Sequence, residues 1–127
     1  MAVLISGVAS AQMGKVNAAE TFIREGAFDK AKVSIEEAIA NPKSAAAAKT
    51  YYVKGKLCQA AFESGDPKFM SLYPDILMEA YNNYEKAVQM DPKMKNTVIK
   101  DNLYAMLGNS FLNDAINKFN EKDYEGA

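Results

Sequence analysis

The stretch Glu79-Ala80-Tyr81-Asn82-Asn83-Tyr84-Glu85-Lys86-Ala87-Val88-Gln89-Met90-Asp91-Pro92-Lys93 decides the fold. Ala80, Tyr84 and Ala87 recur at four and then three residues, so they share one face of a helix. Small residues at Ala80 and Ala87 let a neighbouring helix come close, and the Tyr84 ring fills the space between them. Pro92 cannot continue the helix and closes it.

The same skeleton stands earlier in the chain as Ala31, Ile35, Ala38 and Pro42, with an aliphatic side chain in the aromatic slot. Glu25-Gly26-Ala27-Phe28-Asp29-Lys30 ahead of it reads as a tight turn between paired helices, and Lys122-Asp123-Tyr124 near the end reads as a second opening turn. A complementary pattern occurs at Tyr104, Leu107, Gly108 and Phe111, and more weakly at Tyr51, Lys54, Gly55 and Cys58. Ala19 and Phe22 keep two of its positions. Strand signals are poor, since apolar and polar residues never alternate for long. Breakers fall at Gly26, Asn41-Pro42, Gly65-Asp66-Pro67, Pro74 and Asp91-Pro92. Between them the periodicity predicts five helices, over about 13–25, 28–40, 44–64, 76–90 and 96–120, and an all-α chain.

These spacings resemble the tetratricopeptide repeat (TPR) family. The aromatic, leucine, glycine, aromatic order at Tyr104–Phe111 resembles its first helix, and Ala80–Pro92 its second. The likeness covers about residues 13–127 as two and a fraction units. It implies antiparallel helix-turn-helix repeats stacked as a short right-handed solenoid, in which no hairpin buries its apolar stripe alone. Ala31, Ala80 and Ala127 stand further apart than the usual period of about 34 residues, so the units are irregular. The third first-helix is also long, because Asn113–Asn120 separate its signature from the next turn.

Composition narrows the chemistry. The chain of 127 residues has no His and one cysteine, Cys58. That removes the usual general base near neutral pH, the commonest transition-metal ligand and any cysteine–histidine nucleophile pair. Fifteen basic against sixteen acidic residues leave a net charge of −1, with no footprint for nucleic acid or an anionic membrane. Glu36 and Glu37 are adjacent on a helix and diverge, which reads as a solvated face. Asp114 and Asp123 lack calcium-loop spacing. Cys58 reads as a small hydrophobe at a packing position, and the seven methionines as gap-fillers. No catalytic residue, metal site or cofactor is expected.

What the resemblance implies instead is a binding scaffold that docks a protein or peptide on its concave face. First helices line that face with Glu20, Ile23 and Arg24, then Lys49, Tyr52, Lys56 and Gln59, then Asn102, Ala105, Asn109, Leu112 and Asn113. Of these Lys49, Tyr52, Lys56, Gln59, Asn109 and Asn113 are the candidate partner-binding residues, with Tyr52 the anchor; the plain alternative is a solvated helix side. A clamp for a partner's terminal carboxylate is not expected, because Val16 and Glu20 stand where the family's clamp has Lys and Asn. Phe69, Met70, Leu72 and Tyr73 lie in an insertion, Gly65 to Asp75, where the family has a tight turn. They form either a partner or dimer patch, or a cap folded back on helix ends. A structural role, with homo-oligomers formed through the terminal helices, is the alternative function.

Residues 1–11 stand apart from the 12–127 repeat domain. Ala2–Val8 is apolar, and Ala9-Ser10-Ala11 has the small–x–small form of a signal-peptidase site, with Gln12 next. This is either the remnant of a secretory signal, implying a periplasmic or secreted protein of bacterial type, or the start of the first helix of a cytoplasmic one. The stretch is too short to span a bilayer. The closing Lys122–Ala127 is expected to open a further helix, so the array reads as truncated there.

Overall fold

A computed structural model describes the backbone of residues 2–101 and 103–126, and the side chains of 13–101 and 103–121. Asn102, of the proposed concave face, lies outside the described residues, as do the side chains of the candidate signal segment. The described residues form eight helices and no strand: α1 Ala2–Arg24, α2 Phe28–Ala40, α3 Pro42–Ala45, α4 Ala48–Glu63, α5 Pro67–Met70, α6 Ile76–Met90, α7 Met94–Lys100 and α8 Leu103–Gly126.

Local chemistry sets most of the boundaries. Gly26 takes φ 75°, its N–H reaching Ile23 O at 3.1 Å while Ala27 N–H reaches Phe22 O at 2.9 Å. This left-handed cap ends α1 and starts the hairpin into α2. Gly65, at φ 72°, ends α4 the same way. Asn41 and Asp66 each cap a short helix with proline at its first position, their side chains accepting the N–H of Lys43 and Lys68. Asp75 caps α6 by accepting Met78 N–H.

Helices α2 and α6 match the expected spans, and three others differ. The expected 44–64 helix is broken near its start, where the Ser44 hydroxyl donates to Ala38 O and the Thr50 hydroxyl to Ser44 O at 2.6 Å. These buried bonds hold α3 as a separate turn. The expected 96–120 helix is divided into α7 and α8 at Asp101, whose carboxylate is drawn to Tyr52. At the ends, α1 reaches back to Ala2, and α8 runs through Gly126 where Lys122–Tyr124 was expected to turn. Neither extension, residues 2–12 or 121–126, contains a Pro, and Gly7 is the one Gly in them before Gly126.

Packing centres on α4. It lies along α6 through much of its length and touches α1 and α2 on other sides. The core joins Val16 and Ala19 of α1, Ala31, Ile35 and Ala38 of α2, Val53, Leu57, Cys58 and Ala61 of α4, and Ala80, Tyr84 and Ala87 of α6, all at 0% exposure. Small residues mark the crossings, as the spacing predicts. Burying a side chain such as Leu57 or Ile35 contributes about 1.5–3 kcal/mol.

Candidate functional site: a groove beside α4 and a cleft beside α8

Lys49 of α4 meets Asn17 and Glu20 of α1, whereas Ile23 further along α1 shares a cavity with Lys56, Gln59 and Ala60 further along α4. The two helices therefore run side by side in one direction. Helix α8 enters beside them, bringing Leu103 and Met106 to the groove, and Glu63 lies at the end of α4. The resulting groove holds about 120 Å³. Its floor is apolar, from Ile23, Ala60, Leu103 and Met106, and Lys56 and Glu63 place opposite charges beside it.

Two of the candidate partner-binding residues, Tyr52 and Gln59, are buried, and of the two Gln59 still reaches the groove lining. Tyr52 is only 7% exposed, and its hydroxyl donates to the Asp101 carboxylate at 2.7 Å. Burial, then the bond to Asp101, holds this phenol well above the usual tyrosine range. Gln59 is 3% exposed; its side-chain oxygen accepts the Tyr84 hydroxyl at 2.6 Å and its amide donates to Glu63 at 3.1 Å. Both side chains are buried because α6 and the α7–α8 junction cover the face of α4 that carries them. Lys56 lies over the Tyr52 ring at 5.3 Å and is half-buried at the groove edge. Lys49 is exposed but engaged, 3.1 Å from Asn17 and 3.4 Å from Glu20. Asn109 and Asn113 are exposed on α8 and do not line the groove.

The insertion folds back on the helices. Phe69 packs edge-on against Phe28 at 5.1 Å. Tyr73 is buried, its ring meeting the ammonium groups of Lys32 and Lys54 at 4.6 and 4.9 Å, and its hydroxyl donates to Glu36 at 2.6 Å. Lys32 donates to Leu72 O at 2.6 Å, and Lys54 pairs with Glu36 at 2.9 Å and with Glu79 at 3.8 Å. Phe69, Leu72 and Tyr73 are thus engaged from within the chain. Met70 lines a shallow outer cavity with Pro67, Tyr73 and Pro74. Burial pushes the Glu36 carboxyl up, but the Tyr73 hydroxyl and the two lysines outweigh it and hold it below its ordinary value. The solvated-face reading fits Glu37, which pairs with Lys15 at half exposure, and fails for Glu36. Its partner is 37 residues away, so helix-face reasoning had no signal for it.

A second opening lies between α6 and α8. Met78, Tyr81, Tyr104, Leu107, Gly108 and Phe111 enclose about 380 Å³ of nearly apolar space. Tyr104 is fixed there by its hydroxyl on Glu85 at 2.6 Å and by edge contact with Tyr84. Beyond it α8 leaves Leu112, Ile116 and Phe119 at 59, 46 and 63% exposure.

Cys58 is fully buried, and burial pushes its thiol up to about 12. Among the described residues no group of three or more His, Cys, Asp or Glu side chains is placed to hold a metal, and no helix is long and apolar enough to cross a membrane. Comparison with protein-family models, with curated proteins and with solved structures finds no match to the chain.

Proposed function

We propose that this protein is a protein-interaction scaffold of tetratricopeptide type that docks a peptide segment of a partner in the groove between α1, α4 and α8. The observation that carries the reading is the groove itself, an apolar floor at Ile23, Ala60, Leu103 and Met106 with Lys56 and Glu63 at its edge. Apolar floors supply binding energy and flanking charges fix the direction of an extended chain. Parallel α1 and α4, each followed by a helix packed against it, support the repeat reading, as does the Gly55–Tyr84 crossing. No covalent chemistry or cofactor enters this function.

Selection from a random-peptide display library tests it. Peptides enriched on the wild-type chain are expected to lose binding to Ala60→Trp, which fills the groove, and to Lys56→Glu. Enrichment that both variants retain would sink the proposal.

The exposed row Leu112, Ile116 and Phe119 favours a second reading, self-assembly through α8. Light scattering over a range of concentrations, with Phe119→Lys as control, distinguishes it. Export guided by Ala9-Ser10-Ala11 is a further proposal; N-terminal sequencing of secreted material should begin at Gln12, and another start counts against that cleavage site.

A further inference from the structure

We infer that the inserted segment Gly65–Pro74 is an acid-released strap, freed from α2 and α4 by protonation of one carboxylate, Glu36, while the helices it lies on stay packed. No residue of the segment lines the groove at Ile23 and Lys56, so the device is separate from peptide docking there.

The segment is built to move as one piece. Of its ten residues only Tyr73 is buried. Its backbone bonds close locally: Phe69 and Met70 N–H reach Asp66 O at 2.9 Å, Ser71 N–H reaches Pro67 O at 3.2 Å and Leu72 N–H reaches Phe69 O at 3.1 Å. None of these is lost when the segment leaves the helices. Its ties to them are side-chain contacts: Phe69 on Phe28, Lys32 on Leu72 O, and Tyr73 on Lys32, Lys54 and Glu36. The helices beneath keep their own core, in which Val53, Leu57, Ala80 and Tyr84 are at 0% exposure. Opening that exposes one ring costs far less than opening that exposes this core.

Glu36 is where the polar ties converge. Its carboxylate accepts the Tyr73 hydroxyl at 2.6 Å and pairs with Lys54 at 2.9 Å. The charged and titratable groups around it are Lys32 of α2, Lys54 and the Cys58 thiol of α4, Glu79 of α6 and Tyr73 itself. Two carboxylates balance two ammonium groups. Once Glu36 is neutral, Lys32 and Lys54 still carry their charges against the Tyr73 ring. Glu79, 3.8 Å from Lys54, is then the remaining counter-charge among the described residues. The bond from Tyr73 also loses its ionic acceptor, which roughly halves its strength. Against the upward push of burial, the Tyr73 hydroxyl and the two lysines hold the Glu36 carboxyl below the ordinary 4.5. The strap is therefore latched above about pH 4.5 and released as pH falls through the lower folded value.

Hydrogen exchange of the whole chain, followed by mass spectrometry, tests this. Glu36→Gln puts the uncharged isostere in place at pH 7. The amides of residues 69–73 should then exchange at least tenfold faster than in wild type, with those of α4 and α6 unchanged. Glu37→Gln, at the neighbouring carboxylate that pairs with Lys15, should leave the segment as in wild type. Wild type at pH 3, with rates corrected for the intrinsic effect of acid, should show the same localised release. A segment indifferent to Glu36→Gln, or equally loosened by Glu37→Gln, overturns the proposal. So does loss of protection in α4 and α6 together with the segment, because the event would then be unfolding of the whole chain.

Discussion

Gly55 of α4 faces Tyr84 of α6 so closely that a methyl group on it would lie 2.5 Å from two carbons of the ring. Tyr84 is fully buried and anchored by Gln59, so the ring has no room to retreat. The α4–α6 crossing is set at the distance that a hydrogen atom, and no larger substituent, allows.

Gly55→Ala should therefore destabilise the protein, by about 1–2 kcal/mol, since the overpacking cost exceeds the helix-propensity gain. Gly108→Ala, with nothing near its Cβ, should instead stabilise by about 0.5–1 kcal/mol. Thermal unfolding of the two variants checks the opposed signs; equal shifts would contradict the packing described.

Two tyrosine hydroxyls should rank differently. Tyr84→Phe leaves the buried oxygen of Gln59 without its donor and should cost about 1–3 kcal/mol. Tyr52→Phe frees the carboxylate of the exposed Asp101 to be hydrated, and should cost about 0.5–1.5 kcal/mol. Denaturant midpoints measured side by side give the order.

The Glu36 clasp predicts a pH dependence. Its folded-state pKa lies below the ordinary 4.5, so its contribution is present above about pH 4.5 and is lost as pH falls through the lower folded value. Glu36→Gln should lower stability at pH 7 by about 1 kcal/mol, a magnitude suited to a part-exposed pair. The gap to wild type should narrow below pH 4.5. Urea titrations at pH 7 and pH 3 check this; a gap that widens in acid would reverse the assignment.

Cys58 should be inert while the chain is folded. Raising its thiol from about 9 to about 12 cuts the thiolate fraction near pH 8 by on the order of a thousandfold, and burial blocks access as well. Modification by an aromatic disulfide reagent should proceed at the rate of unfolding in buffer and immediately in denaturant.

What could be read from the residues alone was what local chemistry controls. Gly26, Asn41-Pro42 and Asp91-Pro92 act through their own backbone, so α2 and α6 fell where expected. The burial of Tyr52 and Gln59 was not legible. It depends on Asp101, 49 residues ahead, and on Tyr84, 25 residues ahead, neither of which a helical wheel of α4 contains. For the insertion, the choice between an outward patch and a folded-back cap lies with Lys32 and Lys54, whose aim is a property of the folded chain. The signature at Tyr104–Phe111 was visible in the sequence; that Tyr104 bonds Glu85 and meets the ring of Tyr84 was not, because both partners lie on another helix.

The clasp around Tyr73 has a mechanical consequence. Lys32 and Glu36 belong to α2 and Lys54 to α4, so one ring ties two helices, and Lys54 carries the link on to Glu79 of α6. Bending α2 away from α4 would have to pull that ring off two cations and strip its hydroxyl from a carboxylate. The inserted loop is thus a brace rather than slack, and it stiffens the contact between α2 and α4.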